Sequence, residues 1–173
     1  MWSDACVDER LETFELDEAS VTLPVPAGAE FSELAGLEPG SRHLTWAPTP
    51  EGHFMVSAGS SAGHTADGLL AGEAQRGSGL RVESDEPAPL AGEGARRVVF
   101  RLTRHRPREL REAPGGRVTA PEREVRELSD LLFVPGERRH LRIGYRVEDG
   151  APEPLRAQLA RMLDRVEVRR RDA

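Results

Sequence analysis

Apolar and polar side chains alternate along several stretches of the chain, and this alternation predicts β-strands. In the clearest stretch, Val98, Phe100 and Leu102 alternate with Arg97 and Arg101. Successive side chains of a strand point to opposite faces, so the apolar set faces a core and the arginines face solvent. The pattern therefore predicts a half-buried strand.

Shorter apolar runs predict further strands, because each is bounded by turn-forming residues. These runs lie at 14–16, 21–23, 44–46, 53–56, 80–82 and 141–147. Pro24 and Pro26 are expected to end the second of them, since proline donates no backbone hydrogen bond to a ladder. Pro135 and Gly136 supply a hairpin turn before the last.

Helical spacing appears most clearly near the C-terminus. Pro152 suits the first turn of a helix, and the apolar residues that follow form one stripe. The residues of this stripe are Leu155, Leu159, Met162, Leu163 and Val166. Two further helices are predicted at 65–76 and, more briefly, at 31–37.

Three segments have weaker patterns. Residues 84–94 contain Pro87 and Pro89, so they are excluded from a central strand. Residues 104–117 are polar and predict a long exposed connection. At 119–134, Thr119 and Glu122 fit a capping box, whereas the second half favours a strand.

These elements predict an α+β protein with a twisted antiparallel β-sheet flanked by helices. One domain over 1–173 suits the length of the chain. We expect the core to span about 12–168, with frayed tails at 1–11 and 169–173.

The second half of the chain resembles the PsbP-like superfamily, which includes PsbP, DcrB-like lipoproteins and Eag-type chaperones. The resemblance lies in Leu90-Ala91-Gly92 before the strand at 97–103, the strand at 141–147, and a closing helix that ends in Met162-Leu163-Asp164-Arg165-Val166. It implies α/β/α layers. It also implies a binding protein, because members are mostly non-enzymatic.

Charge is distributed unevenly along the chain. Residues 1–40 carry ten acids and only Arg10, whereas residues 96–173 carry twenty arginines and thirteen acids. One interpretation is a basic face that attracts an acidic partner. The other is that the acidic N-terminal strands lie against the basic C-terminal ones.

The composition of the chain argues against several classes of function. The net charge of -6 and the 5% aromatic content disfavour nucleic acid as a partner. No stretch approaches the roughly 20 apolar residues of a membrane span. The start lacks the basic and apolar regions of a secretory signal, so we expect a cytoplasmic protein.

No cofactor or metal is expected. Cys6 is the only cysteine, which excludes a thiolate metal cluster. His43, His53 and His64 are spaced by ten and eleven residues, which is not typical of a metal site.

One motif offers an enzymatic alternative. Gly59-Ser60-Ser61-Ala62-Gly63 matches G-x-S-x-G between a predicted strand and a predicted helix, the context of a nucleophile elbow. A small serine hydrolase would use Ser61. Its partners would be His140 or His105, with Asp130 or Asp149.

The favoured hypothesis is a non-enzymatic domain that binds another protein, such as an effector, a toxin or an acidic surface. Its most concrete versions are a secretion-effector chaperone and a toxin-neutralising immunity protein. The predicted partner-binding residues are arginines: Arg101, Arg104, Arg106, Arg142 and Arg146. A structural subunit that self-associates is a further alternative, and the oligomeric state is left open.

Overall fold

The computed structural model describes residues 8–35, 39–60, 65–106, 111–113, 116–118 and 123–171. The strands are β1 (Glu9–Glu15), β2 (Ala19–Pro26), β3 (Ser32–Ala35), β4 (Arg42–Thr49), β5 (Gly52–Ser60), β6 (Ser78–Pro87), β7 (Arg96–Arg106), β8 (Arg111–Ala113), β9 (Gly116–Val118), β10 (Arg123–Val134), β11 (Arg139–Glu148) and β12 (Glu167–Arg170). The helices are α1 (Ala66–Gln75) and α2 (Glu153–Asp164), and a 3₁₀ turn covers Pro89–Ala91.

The largest sheet has seven strands in the order β3-β4-β5-β11-β10-β7-β6. Every neighbouring pair in it is antiparallel. A second sheet has the order β1-β2-β12, and β8 pairs with β9. The predicted α+β class with antiparallel strands is thus confirmed.

Alternation along the central strands divides the core into two clusters. On β10, Leu132 and Val134 belong to the larger cluster, whereas Leu131 and Phe133 belong to the smaller one. Neighbouring residues of a strand point to opposite faces, so the two clusters lie on opposite sides of the seven-stranded sheet. We call these sides the α2 face and the α1 face, after the helix that packs on each.

The α2 face carries most of the buried apolar surface. The predicted stripe of α2 is buried at Leu155, Leu159, Met162 and Leu163. These side chains share the larger cluster with inward residues of β2 and β11. Burying one such side chain contributes about 1.5–3 kcal/mol. The β1-β2-β12 sheet therefore covers this face together with α2.

Helix α1 packs on the other face over a smaller area. Thr65 caps the helix, its Oγ1 accepting a hydrogen bond from the Gly68 amide at 3.0 Å. Ala66 and Leu69 are buried against a cluster that includes Phe100 and Leu131. The predicted helix at 65–76 is thus confirmed for its described residues.

The short helix predicted at 31–37 is wrong where the structure describes it. Ser32–Ala35 is strand β3, paired with β4. Arg42 of β4 donates two hydrogen bonds to Glu33, at 2.7 and 3.1 Å. A partner strand distant in sequence outweighs local helix propensity in so short a segment. Residues 36–38 lie outside the described ranges.

The frayed tails predicted at 1–11 and 169–173 are wrong for the residues that form strands, while residues 1–7, 172 and 173 lie outside the described ranges. Residues 9–11 belong to β1 and pair with β2. Arg169 and Arg170 belong to β12 and pair with Ser20 and Ala19. Both segments are strands because their backbones pair with β2, and their polar composition gave no sign of this pairing.

Strand β2 continues through both prolines, although they were expected to end it at Leu23. The Ala27 amide donates to the Asp8 carbonyl at 2.7 Å. Backbone amides alternate in direction along a strand, so those of Val25 and Leu23 also point towards β1. The Pro24 and Pro26 nitrogens therefore point away from β1. Strand β12 reaches only Thr22, so no ladder hydrogen bond is required of them.

Each of the three weaker segments contains strand where it is described, although Pro89–Ala91 is the 3₁₀ turn. Residues 123–134 form β10, which confirms the preference for strand, and residues 119–122 lie outside the described ranges. The connection predicted at 104–117 is wrong in part, because β7 continues to Arg106 and β8 pairs with β9. Strand β6 includes Pro87 but lies at the edge of its sheet.

Candidate binding site on the α1 face of the sheet

Two arginines of β11 project from the α1 face with a glycine between them. Arg142 lies opposite Ser57 of β5, and Arg146 lies opposite His53. Gly144 stands between them in the same alternating set. Gly144 is buried, because the backbone of β10 approaches it too closely to leave room for a side chain.

Glu73 reaches this surface from helix α1. Its Oε1 accepts a hydrogen bond from Arg146 Nη2 at 2.7 Å, and its Oε2 accepts one from Arg146 Nη1 at 3.1 Å. Arg104 Nη2 donates to the same Oε2. Two parallel hydrogen bonds between a guanidinium and a carboxylate form the strongest type of side-chain ion pair.

Glu127 of β10 completes a four-membered charge square with Glu73, Arg104 and Arg146. Its Oε1 accepts from Arg104 Nε at 2.9 Å and lies 3.8 Å from Arg146 Nη1. Each carboxylate of the charge square thus contacts both arginines. The two negative and two positive charges cancel.

Because the carboxylates of the charge square are buried, they attract the two arginines more strongly than exposed carboxylates would. The Glu73 and Glu127 side chains are each only 1% exposed. Burial raises the pKa of Glu73, but hydrogen bonds and Coulomb attraction from Arg146 and Arg104 outweigh it and bring the pKa to about 2. Glu73 is therefore ionised at neutral pH.

Arg142 lies beside the charge square and is not part of it. Among the described residues it forms no hydrogen bond or ion pair, and its Nε is buried without a partner. Burial, together with repulsion from Arg146, lowers the pKa of Arg142 below its ordinary value, and the attraction from Glu73 offsets this only in part. A buried cation in this environment favours a counter-ion.

A shallow depression of about 330 Å³ opens above these groups. Its lining residues are His43, His53, Met55, Arg76, Arg104, Glu127, Arg142 and Arg146. Burial lowers the pKa of the half-buried His43, and repulsion from Arg142 and Arg146 lowers it further. The depression is therefore positive even with neutral imidazoles, because four arginines exceed Glu73 and Glu127.

The structure brings together three of the five arginines predicted to bind a partner. Arg104, Arg142 and Arg146 all line the depression. Arg101 points to the α2 face, where it forms ion pairs with Glu83, at 2.6 Å, and with Asp149. The side chain of Arg106 lies outside the described part of the chain.

Part of the charge asymmetry follows from contacts within the chain, as the second interpretation predicted. Glu9 of β1 accepts hydrogen bonds from Arg161 of α2 and from Arg165, which directly follows that helix. Glu15 accepts one from Arg171. The acidic start of the described chain thus lies against its basic end, while a separate group of arginines gathers on the α1 face.

The residues proposed for a hydrolase are not assembled as a triad in the described part. Ser61 lies outside it. His140 stacks on Phe133 of the α1 face, and its Nδ1 lies 2.7 Å from the Ser60 carbonyl oxygen. Asp130 faces the other side of the sheet, where it pairs with Arg97 at 2.8 Å.

The other proposed partners of Ser61 are separated along the strands. Asp149 follows the far end of β11, nine residues from His140 and therefore roughly 30 Å away along an extended strand. His105 is exposed and lies 3.7 Å from Glu124. Neither residue stands beside His140.

Sequence reasoning missed Glu73 and Glu127, although a signal was present. Glu73 lies seven residues after Ala66 and four after Leu69, on the buried stripe of α1. Glu127 occupies an inward position of β10 between Val125 and Leu131. A charge at a core-facing position requires a buried partner, and this requirement would have identified both.

The two histidines of the depression lie on neighbouring strands, with His53 four residues from the position on β5 that pairs with His43. His43 of β4 lies opposite Ser57, the residue that also faces Arg142. Among the described residues, no group of three His, Cys, Asp or Glu side chains is placed to hold a metal ion. His64 lies outside the described ranges.

Comparison of the chain with protein-family models, curated proteins and solved structures gives no significant match. In the described ranges, neither helix has the length and apolar character needed to cross a bilayer.

Proposed function

We propose that this chain is a non-enzymatic, cytoplasmic protein-binding domain that receives an acidic segment of another protein in the depression on the α1 face. Arg142 carries this proposal, because it is a half-buried cation that forms no hydrogen bond or ion pair among the described residues and feels only longer-range attraction from Glu73. Unlike a solvated surface arginine, it gains a strong interaction when an anionic group arrives.

Charge complementarity favours the toxin-neutralising version of this function over the chaperone version. A chaperone groove for a partner helix needs a contiguous apolar surface. The exposed large apolar residues in the described ranges lie on separate elements, namely Leu11 on β1, Leu34 on β3, Val82 on β6 and Leu90 in the 3₁₀ turn. The basic depression instead suits a partner whose contact surface is acidic.

The resemblance to the PsbP-like superfamily agrees with this proposal, since members of that group are mostly binding proteins. We also propose for this chain the α/β/α layering that the resemblance implies. In this chain the β1-β2-β12 sheet shares the α2 face with helix α2. The α1 face, covered by one short helix, offers more room for a partner.

Affinity capture from the source cells tests the proposal. Wild-type protein is immobilised beside three variants: Arg142→Gln and Arg76→Gln in the depression, and Arg169→Gln on the exposed side of β12. All three remove one positive charge, so a nonspecific charge effect would be equal among them. We expect one partner to bind wild type and Arg169→Gln, and to be reduced at least tenfold by Arg142→Gln.

Salt dependence provides the second arm. Binding should weaken steeply between 50 and 500 mM NaCl, because screening shortens the range of charge attraction. Equal capture by all three variants, or binding indifferent to salt, would refute recognition through the depression. Circular dichroism and thermal melting of each variant establish that the fold is retained.

A further inference from the structure

Arg142 is the one arginine of the depression that no carboxylate contacts among the described residues, and Glu73 attracts it only at longer range. The charge square satisfies Arg104 and Arg146 through Glu73 and Glu127. Arg76 also contacts Glu73, at 4.0 Å, but its side chain is 67% exposed and water solvates its charge. The buried part of the site therefore carries one uncompensated positive charge.

We propose that Arg142 is an anchoring subsite for a single carboxylate of the partner protein, either an Asp or Glu side chain or a C-terminal carboxylate. The inference rests on the proposed function and specifies the group that enters the depression. A guanidinium presents its donors as a planar fork that matches the two oxygens of a carboxylate.

The charge balance favours a carboxylate over a phosphate. One monoanion compensates the one buried charge of Arg142. Glu127 lines the same depression and would repel a dianion more strongly than a monoanion. The surface already holds one two-oxygen arginine–carboxylate pair, between Arg146 and Glu73. A carboxylate on Arg142 would add a second pair of the same chemistry.

The imidazoles of His43 and His53 lie on the rim of the same depression. His43 lies opposite Ser57, which faces Arg142, so its imidazole is the nearer of the two to a group seated on Arg142. Met55 supplies apolar surface for the methylene groups that carry a side-chain carboxylate. An anion on Arg142 would also offset the repulsion that His43 experiences from Arg142 and Arg146.

Nuclear magnetic resonance of the arginine Nε–Hε groups tests the subsite directly, with the Arg142 signal assigned by its absence in Arg142→Gln. Full-length protein at pH 7.5 and constant ionic strength is titrated with N-acetylglutamic acid α-amide, N-acetylalanine and inorganic phosphate, with chloride as the balancing anion. The first two probes carry a side-chain and a C-terminal carboxylate, respectively. We expect the Arg142 signal to shift and saturate with at least one of them. The Arg169 signal should shift no more than it does with chloride alone.

Two results would overturn the inference. One is an Arg142 signal that, with both carboxylate probes, shifts no more than it does with chloride alone. The other is saturation by phosphate at a concentration at least tenfold below that of either carboxylate. The carboxylate with the lower saturating concentration identifies the group that the partner presents.

The subsite and the proposed function fail in different ways. If Arg142→Gln captures the partner as well as wild type does, while Arg76→Gln loses it, the subsite is wrong and recognition through the depression stands. If carboxylates saturate Arg142 but wild type and all variants capture the same proteins equally, carboxylate binding at Arg142 stands, whereas the proposed function is wrong and, with it, the role of Arg142 as an anchor for a partner protein.

Discussion

Glu73 and Arg146 are 73 positions apart in the chain, yet they form a two-oxygen ion pair with hydrogen bonds of 2.7 and 3.1 Å. Glu73 lies on the buried stripe of helix α1, and Arg146 lies on strand β11 in the middle of the seven-stranded sheet. This pair fastens the short helix to the sheet. It also sets the positions of the arginines that line the depression.

The ion pair predicts a large effect of Glu73→Gln on stability. Removing one charge of a buried, paired set leaves the opposite charges uncompensated, which costs about 3–5 kcal/mol. We expect the free energy of unfolding in urea at pH 7 to fall by about that amount. Glu86→Gln on the exposed surface of β6 is the control and should change it by less than about 0.5 kcal/mol.

Stability should also depend on pH through Glu73. Its pKa falls from an ordinary 4.5 to about 2 in the folded protein, so the folded state releases this proton more readily than the unfolded chain. The contribution is complete above pH 4.5 and is lost as the pH falls towards 2, for a total of about 3 kcal/mol. Urea unfolding of wild type and Glu73→Gln at pH 6, 4 and 3 measures it. Equal pH slopes for the two proteins would contradict the assignment.

Arg142 should control the protonation of His43. Burial and repulsion from Arg142 and Arg146 hold the pKa of His43 below its ordinary value of 6.5. Arg142→Gln removes one source of repulsion and should raise this pKa, though burial will keep it below 6.5. The Hε1 chemical shift of His43 between pH 4 and 8 reports the change. Arg169→Gln should leave the titration of His43 where it is in wild type.

Gly144 should be intolerant of any side chain. A Cβ atom at this position would collide with the Asp130 carbonyl oxygen and the Leu131 Cα of the neighbouring strand. Gly144→Ala should therefore lower stability by about 2 kcal/mol or more, because backbone must move to relieve the contact. Gly72→Ala is a matched control, since nothing lies within 4 Å of its Cβ. Alanine there should stabilise helix α1 by up to about 1 kcal/mol.

Strand β12 should contribute to stability and not behave as a frayed tail. Deleting residues 167–173 removes its pairing with Ala19–Thr22 and the packing of Val168. A loss of about 2–4 kcal/mol follows from a few backbone hydrogen bonds and one partly buried side chain. Arg169→Gln should stay within about 0.5 kcal/mol of wild type. A truncated protein as stable as the full chain would mean that β12 adds nothing.

Local patterns were sufficient for much of the fold. Alternation identified β7 and β11, and helical spacing identified the buried stripe of α2, because both follow from the repeat of one element against a core. The same reading named three arginines that line the depression. Pairing overruled local signals elsewhere: β3 is a strand because β4 is its neighbour, and Pro24 is tolerated because β12 stops short of it.

The binding site itself depends on strand order and register. Arg101 and Arg104 are three residues apart on β7, so alternation places them on opposite faces, but only the pairing of β7, β10 and β11 shows which face also carries Arg142 and Arg146. The contact of Glu73 with these strands joins residues far apart in the chain. Such contacts arise from the packing of whole elements, and no periodicity within a single segment encodes them.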